Sequence, residues 1–356
     1  PQDPMSKTML AAVLHGIQDL RVDERPVPGL EPGKVLVRVR RGGICGSDVH
    51  YFQEGRFGHF TVTAPFVLGH EVCGEMVAVA DGVSQPGVGQ RVVVNPSRQC
   101  GHCDYCRSGR GNLCRNVRML GSASTKPPTN GGFSEYLLIG AEQCFPVPPQ
   151  IDDGLGAMIE PFAVALHALK RAGSVLGKPV IVTGGGPIGL LTVIAARACG
   201  ATPIAVSDPV AERRQMALTV GADSALDPTE ASFKDQVTAL TGDGFEVLFE
   251  ASGAVPALRQ AFEVVRRGGT IVQIGVYSAP ELSLPVNQFL VRELQLVGSF
   301  RYSNVWEEAI RLVASGRVNL HPLISRVFPL RQAREALELA CAKTGVVKVQ
   351  IDLQSS

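Results

Sequence analysis

The run Pro179-Val180-Ile181-Val182-Thr183, followed at once by Gly184-Gly185-Gly186-Pro187-Ile188-Gly189, constrains the fold more than any other part of the chain. A buried-strand run leads into glycines and then into a helical pattern, which opens a strand-turn-helix unit. Glycines 184, 186 and 189 fit G-x-G-x-x-G, where a tight turn, close backbone approach to a pyrophosphate and tight helix packing each exclude a side chain. The pyrophosphate would sit on the outward N–H groups of the helix N-terminus. Asp208 ends the next apolar run, 19 residues after Gly189, where a carboxylate accepts from ribose hydroxyls and repels a 2′-phosphate. That favours NAD, while Arg213 and Arg214 keep NADP open. Candidate cofactor contacts are Gly184, Gly186, Pro187, Ile188, Gly189, Asp208 and Arg213. The plainer role for Asp208 is a helix N-cap ahead of Pro209.

Apolar runs continue at Pro203–Val206, Phe245–Phe249, Thr270–Ile274 and Leu294–Val297, with helix-like stretches between most of them. This alternation argues a parallel sheet with crossover helices. Upstream the texture differs. From Thr8 to about Pro149, short β-type runs such as Lys34–Val39, Val72–Val79 and Arg91–Val94 are broken by Gly and Pro, which reads as an irregular β domain. Helical spacing begins at Glu160–Ala172 and returns at Trp306–Ser315 and Arg331–Cys341, before a last strand, Val346–Ile351. That strand is expected to return to the first domain, which sets 161–300 as an insertion within a domain made of 5–160 and 301–356. Two cores are the natural expectation for 356 residues. Pro1–Pro4, ahead of Met5, read as residues added before a native start.

Hydrophobic residues make up 45% and charged residues 19%, which fills two cores and gives no reason for long disorder. Lys and Arg total 34 against 33 for Asp and Glu, so no basic field exists to hold nucleic acid or an anionic membrane, and a small molecule is the expected partner. No apolar run reaches the roughly 18 residues of a membrane span and no signal-peptide succession opens the chain, so a cytoplasmic location is expected. In a reducing compartment, nine cysteines point to metals or catalysis before disulfides. Cys100, Cys103 and Cys106 are separated by two residues each, and Cys114 follows after a short lobe. Four thiolates close a tetrahedral ion with no open position, which describes a structural zinc. An iron–sulfur cluster uses similar spacing, but nothing else in the chain suggests an electron path. Cys73, Cys144, Cys199 and Cys341 read as small buried hydrophobes.

Cys45 stands apart in Gly42–His50, where a thiol, the Ser47 hydroxyl and the His50 imidazole fall within six residues. The stretch reads as an active-site loop. Downstream, Gly69-His70-Glu71 and Glu160-Pro161 supply an imidazole and two carboxylates. Each alone has a plainer reading, a hydrogen-bonded core histidine or a buried thiol. Together they offer the three protein ligands plus exchangeable position that catalytic zinc uses.

On these residues the chain resembles the zinc-dependent medium-chain dehydrogenases over essentially its whole length after Met5. Cys45–Tyr51, Ile159-Glu160-Pro161 and Gly298-Ser299-Phe300-Arg301-Tyr302 are similar to the sorbitol dehydrogenase branch. Within that branch, Arg41–Asp48, Gln53–Arg56, Asn95-Pro96-Ser97, Gly121-Ser122-Ala123 and Gly131-Gly132-Phe133 are similar to bacterial L-idonate 5-dehydrogenases. The resemblance implies an α/β plus β fold: a GroES-like catalytic domain with an inserted Rossmann domain that carries NAD, and a site in the cleft between them. It implies one catalytic and one structural zinc, and a homodimer or homotetramer. Cys45, His70 and Glu71 match the ligands of the catalytic zinc, and Glu160 binds it directly or through water. Ser47 and His50 match the proton-relay positions, and Tyr51, Arg301 and Tyr302 match substrate contacts. Leu120-Gly121-Ser122 stands where polyol relatives usually carry a phenylalanine pair, a departure expected to widen the pocket and to count against sorbitol. The expected reaction is oxidation of L-idonate to 5-keto-D-gluconate, with sorbitol or xylitol as the alternative.

Two other classes share part of this pattern. A zinc-free NADPH reductase of the same superfamily has no use for Cys45, His70 and Glu71. A non-catalytic nucleotide-binding relative has no use for the relay.

Overall fold

The computed structural model describes residues 8–279, 281–342 and 345–355; Pro1–Pro4 and Met5 lie outside them. The chain divides into two compact units, one running to Glu160 with Trp306–Ala314 and the chain from Leu323, the other made of Pro161–Val305 and Ser315–Pro322. The first crossing falls inside a single helix, Asp153–Ala172. That helix starts two turns before the apolar spacing suggests, because Gly154 and Gly156 interrupt the pattern. Gly156 has a packing reason: a Cβ there would meet Cys73 Sγ at 2.4 Å.

The first unit is organised around Lys34–Gly43, whose Val and Leu positions are buried. This strand pairs antiparallel with Glu71–Val79 on one side, and on the other with Tyr136–Gly140 and the final strand Lys348–Asp352. Its seven-stranded sheet is completed by Arg91–Val94, Cys144–Pro146 and Ile324–Pro329. A three-stranded sheet holds Asp19–Pro26, Thr8–Gly16 and Phe66–Val67. Side chains from both, including Val13, Phe66, Val37, Val92 and Ile351, share one core. The register decides where chemistry is possible. Gly43 lies opposite Glu71 and also opposite Gln350, so the end of the first strand, the start of the second and the last strand converge.

The second unit holds six parallel strands: β1 (Val180–Thr183), β2 (Ile204–Ser207), β3 (Ser224–Leu226), β4 (Phe245–Glu250), β5 (Val265–Gln273) and β6 (Gln295–Gly298). Their spatial order is β3-β2-β1-β4-β5-β6, that of a doubly wound dinucleotide-binding sheet. Strand β3 is a strand the apolar runs do not reveal, since Ser-Ala-Leu at a sheet edge carries too little hydrophobic signal. Among the described residues, no helix is long and apolar enough to cross a membrane.

Candidate active site

The stretch read as a loop turns into a helix, Gly46–Glu54, with Cys45 as its N-cap. Asp48 makes the turn. Its Oδ2 accepts from the Cys45 backbone N–H at 2.9 Å, and its Oδ1 accepts from the Gly69 N–H at 3.3 Å. One fully buried carboxylate thus fixes the segments carrying Cys45 and His70, and stands 3.9 Å from His70 Nδ1. Gly43 is required by close approach, since a Cβ there would meet Glu71 Oε2 at 2.1 Å.

Cys45, His70 and Glu71 come together, with one ligand atom from each lying within 4.8 Å of the others. Glu160 falls outside that group but is buried and near enough to act on His70. Burial works against a charged His70 imidazole, yet Cys45, Asp48 and Glu160 outweigh it and hold His70 well above its ordinary range. Among the described residues, the buried Nδ1 of His70 has no hydrogen-bond partner. A thiol, an imidazole and a carboxylate converging in a field that draws positive charge fit a zinc ion with one position left for substrate.

The sequence gives no assignment to Lys348, and the structure supplies one. Its ammonium, 3% exposed, donates to both Glu71 oxygens at 2.8 Å and to the Ile44 carbonyl at 3.0 Å. Burial favours loss of its proton, but Glu71, Cys45 and Glu160 prevail and raise Lys348 above the usual lysine value. Glu71 therefore serves the ligand cluster and Lys348 together. A lysine inside an otherwise apolar strand is the signal for this pairing, because lysine is almost never fully buried alone.

Ser47 and His50 lie three apart on the same helix, hence on one face, and both are half-buried. His50 Nδ1 pairs with Glu54 Oε1 at 2.9 Å, which puts the ring proton on Nδ1 and leaves Nε2 as acceptor. Tyr51 is 1% exposed; its hydroxyl accepts from the Ala123 N–H at 3.2 Å and pairs with Ser122 Oγ at 3.3 Å. It supports the 120–123 segment from beneath. In the second unit, Arg301 has φ of 52°, a region that long side chains rarely adopt, and its guanidinium lies 4.8 Å from the Phe300 ring centroid. Tyr302 beside it is buried.

Cys100, Cys103, Cys106 and Cys114 form a second group within 4.8 Å. Backbone N–H groups of Cys106 and Arg115 hold the Cys103 thiol down at about 6. Those of Cys100 and Asn116 donate to Cys114 Sγ at 3.3 and 3.4 Å. Donors aimed at sulfur suit thiolates, and four thiolates fit a closed structural zinc.

At the end of β1, Gly184 has φ of 94°, Gly186 has nothing within 4 Å of a Cβ position, and a Cβ on Gly189 would meet Gly184 O at 1.8 Å. The three glycines thus make a turn, an open approach and a tight contact. Pro187 and Ile188 open the helix Pro187–Ala198. Asp208 is buried: Oδ2 accepts from Gly185 N–H and Oδ1 from Val210 N–H, each at 2.8 Å. The N-cap of the following helix is Val210, so Asp208 instead ties the glycine loop to β2. Arg214 is committed to Asp227 at 2.8 Å, whereas Arg213 stands 3.7 Å from Asp208.

Residues 31–149 match the model of the alcohol dehydrogenase GroES-like domain, and 187–315 that of the zinc-binding dehydrogenases. A sorbitol dehydrogenase of Gallus gallus is 40% identical over 343 residues, 95% of this chain and 94% of that one. The L-idonate 5-dehydrogenase (NAD(P)(+)) of Escherichia coli strain K12 is 38% identical over 341 residues, 96% of this chain and 98% of that one. The crystal structure of the Escherichia coli L-idonate enzyme superposes with a TM-score of 0.92 at 37% identity, covering 97% of this chain and 98% of that one. A zinc-binding dehydrogenase of Sinorhizobium meliloti solved with NADP superposes at 0.89 and 35% identity, covering 98% and 100%.

Proposed function

The chain belongs to the zinc-dependent medium-chain dehydrogenases, and from that premise we propose that it oxidises a secondary hydroxyl of an aldonate, L-idonate to 5-keto-D-gluconate, with NAD as hydride acceptor. It is a zinc- and nicotinamide-dependent oxidoreductase of the polyol and sugar-alcohol type. The observation that carries the catalytic reading is the Cys45, His70 and Glu71 group, which leaves a coordination position open where the four-cysteine group leaves none.

Bound at that group, zinc supplies Lewis-acid chemistry that lowers the pKa of a substrate hydroxyl toward neutrality, and the dinucleotide takes the hydride. The chain's residues do the rest. Ser47 Oγ accepts the hydroxyl proton as it gives up its own toward His50, and the imidazole hands a proton on to water while Glu54 holds its Nδ1 side. Glu160 completes the acidic side of the group, directly or through water. Arg301 recognises a carboxylate through two parallel N–H bonds, a contact that favours an aldonate over a neutral polyol. Tyr302 is carried beside Arg301 as a second candidate substrate contact, and Tyr51 acts through Ser122. Asp208 favours NAD over NADP, with Arg213 as the residue that would tolerate a 2′-phosphate.

A sorbitol- or xylitol-type dehydrogenase is the second reading, favoured by the identity to sorbitol dehydrogenases. NADH formation with L-idonate, sorbitol, xylitol and D-gluconate, with NADP as cofactor control, separates them. Preference for L-idonate supports the aldonate assignment, preference for sorbitol overturns it, and no turnover on any of them overturns both substrate assignments.

The same proposal includes self-association. Strand β6 ends its sheet, and Val286, Leu290 and Val291 on the adjoining helix Val286–Arg292 are 65–78% exposed. A second copy pairing along this edge would cover both. Light scattering that shows a monomer at micromolar concentration would refute it.

A further inference from the structure

Glu250 ends β4, is fully buried, and has no part in the metal groups or the glycine loop. Burying a carboxylate is costly unless donors surround it. Here they do. Oε1 accepts from the Ser252 N–H at 2.9 Å, the Gly253 N–H at 3.1 Å and the Ser252 hydroxyl. Oε2 accepts from the Tyr277 hydroxyl at 2.7 Å. The Glu250 carbonyl accepts from Ile274 and Gly275 N–H at 2.8 and 2.9 Å. One residue therefore binds the segment after β4 to the segment after β5 through both its side chain and its backbone.

The two segments interlock without room for side chains. A Cβ on Gly275 would meet Gly253 N at 2.4 Å and Glu250 Oε2 at 2.6 Å, and one on Gly253 would meet Val276 O at 2.4 Å. The placement is as telling as the contacts. Thr183 at the end of β1 is in register with Glu250, and a Cβ on Gly184 would meet Ser252 at 2.9 Å. Strand order reverses between β1 and β4, so this is the switch point where a dinucleotide crosses a doubly wound sheet. The segments after β1 and β2 serve the pyrophosphate and the adenosine ribose. Those after β4 and β5 belong to the other mononucleotide half. Burial and Glu250 both raise the Tyr277 hydroxyl above the usual tyrosine value, so it keeps the proton it donates.

We propose that Glu250 is a positioning residue for the nicotinamide half of the cofactor, clamping the segments after β4 and β5 through Ser252, Gly253 and Tyr277. The clamp rests on the dinucleotide reading of the sheet but goes beyond it, because it assigns the two cofactor halves to separate supports. The test compares NADH, which needs both halves, with ADP, which lacks the nicotinamide and its ribose. In Glu250→Gln an amide N–H replaces one acceptor and opposes the donors around it, while Tyr277→Phe removes only the hydroxyl. NADH dissociation constants, read by fluorescence, should rise at least about tenfold in Glu250→Gln and about threefold or more in Tyr277→Phe. ADP, read by calorimetry, should stay within about twofold in both. Equal loss of both ligands would make the role one of general folding, and NADH unchanged in both variants would remove it; either overturns the proposal. If Glu250→Gln does not fold, Tyr277→Phe decides alone. If the unaltered chain binds neither ligand, the dinucleotide reading fails before the clamp is at issue.

Discussion

Lys348→Met removes the ammonium from the pair with Glu71 while keeping an unbranched side chain of similar length. Both partners are at most 3% exposed, and the Lys348 ammonium has all three of its protons on oxygen: two carboxylate oxygens and the Ile44 carbonyl. Methionine satisfies none of these acceptors and leaves the Glu71 carboxylate buried beside Cys45 with no counter-charge. Breaking a buried pair from one side costs about 3–5 kcal/mol. In a unit of roughly 200 residues that is a fall of about 10 °C in melting temperature. The assay is thermal and urea unfolding of the chelated and the zinc-loaded protein. The loss should be larger after chelation, because a dication beside Glu71 replaces the missing ammonium. Lys348→Met combined with Glu71→Gln should recover much of the loss, giving a coupling of about 2 kcal/mol or more. A single variant within about 1 kcal/mol of the unaltered protein, equal with and without zinc, would refute the pairing as the electrostatic support of the site.

Cys103→Ala should lower the melting temperature and the zinc content by one ion per chain, and an unchanged melting temperature would count against the structural role. Gly43→Ala drives a methyl into Glu71 and should cut activity far more than it cuts the binding of NADH, which a steady-state comparison reads directly. Arg40, helped by Arg38, holds the Glu75 carboxyl below its usual range. Because its folded value is depressed, that pair stabilises above the unfolded pKa of about 4.5 and is lost as acid carries the pH down through the folded value. Glu75→Gln should therefore flatten the pH dependence of stability below about pH 4.5, and an unaltered slope would contradict the assignment.

Local chemistry was legible in the chain, and long-range pairing was not. The glycine loop, the four-cysteine lobe and His70-Glu71 announce themselves because each function needs particular residues at fixed short spacing. Cys45 reads as a candidate zinc ligand in a loop, while the helix that it caps is hidden by Gly46. Lys348 and Glu71 are 277 positions apart, and only the pairing of the last strand with Lys34–Gly43 brings them together. Asp48 lay in plain sight, yet its second acceptance, from Gly69, depends on tertiary structure. Nothing local marks Glu250, which follows the Phe245–Phe249 run, because what distinguishes it is a set of donors supplied by two loops.

The central claim is that turnover runs through zinc held by Cys45, His70 and Glu71. It is tested most directly by metal analysis together with NADH formation, in the unaltered chain and in Cys45→Ala. Two zinc ions per chain and turnover are expected in the first, and one zinc, no turnover and retained NADH binding in the second. Full turnover by the unaltered chain after complete removal of zinc would contradict the account.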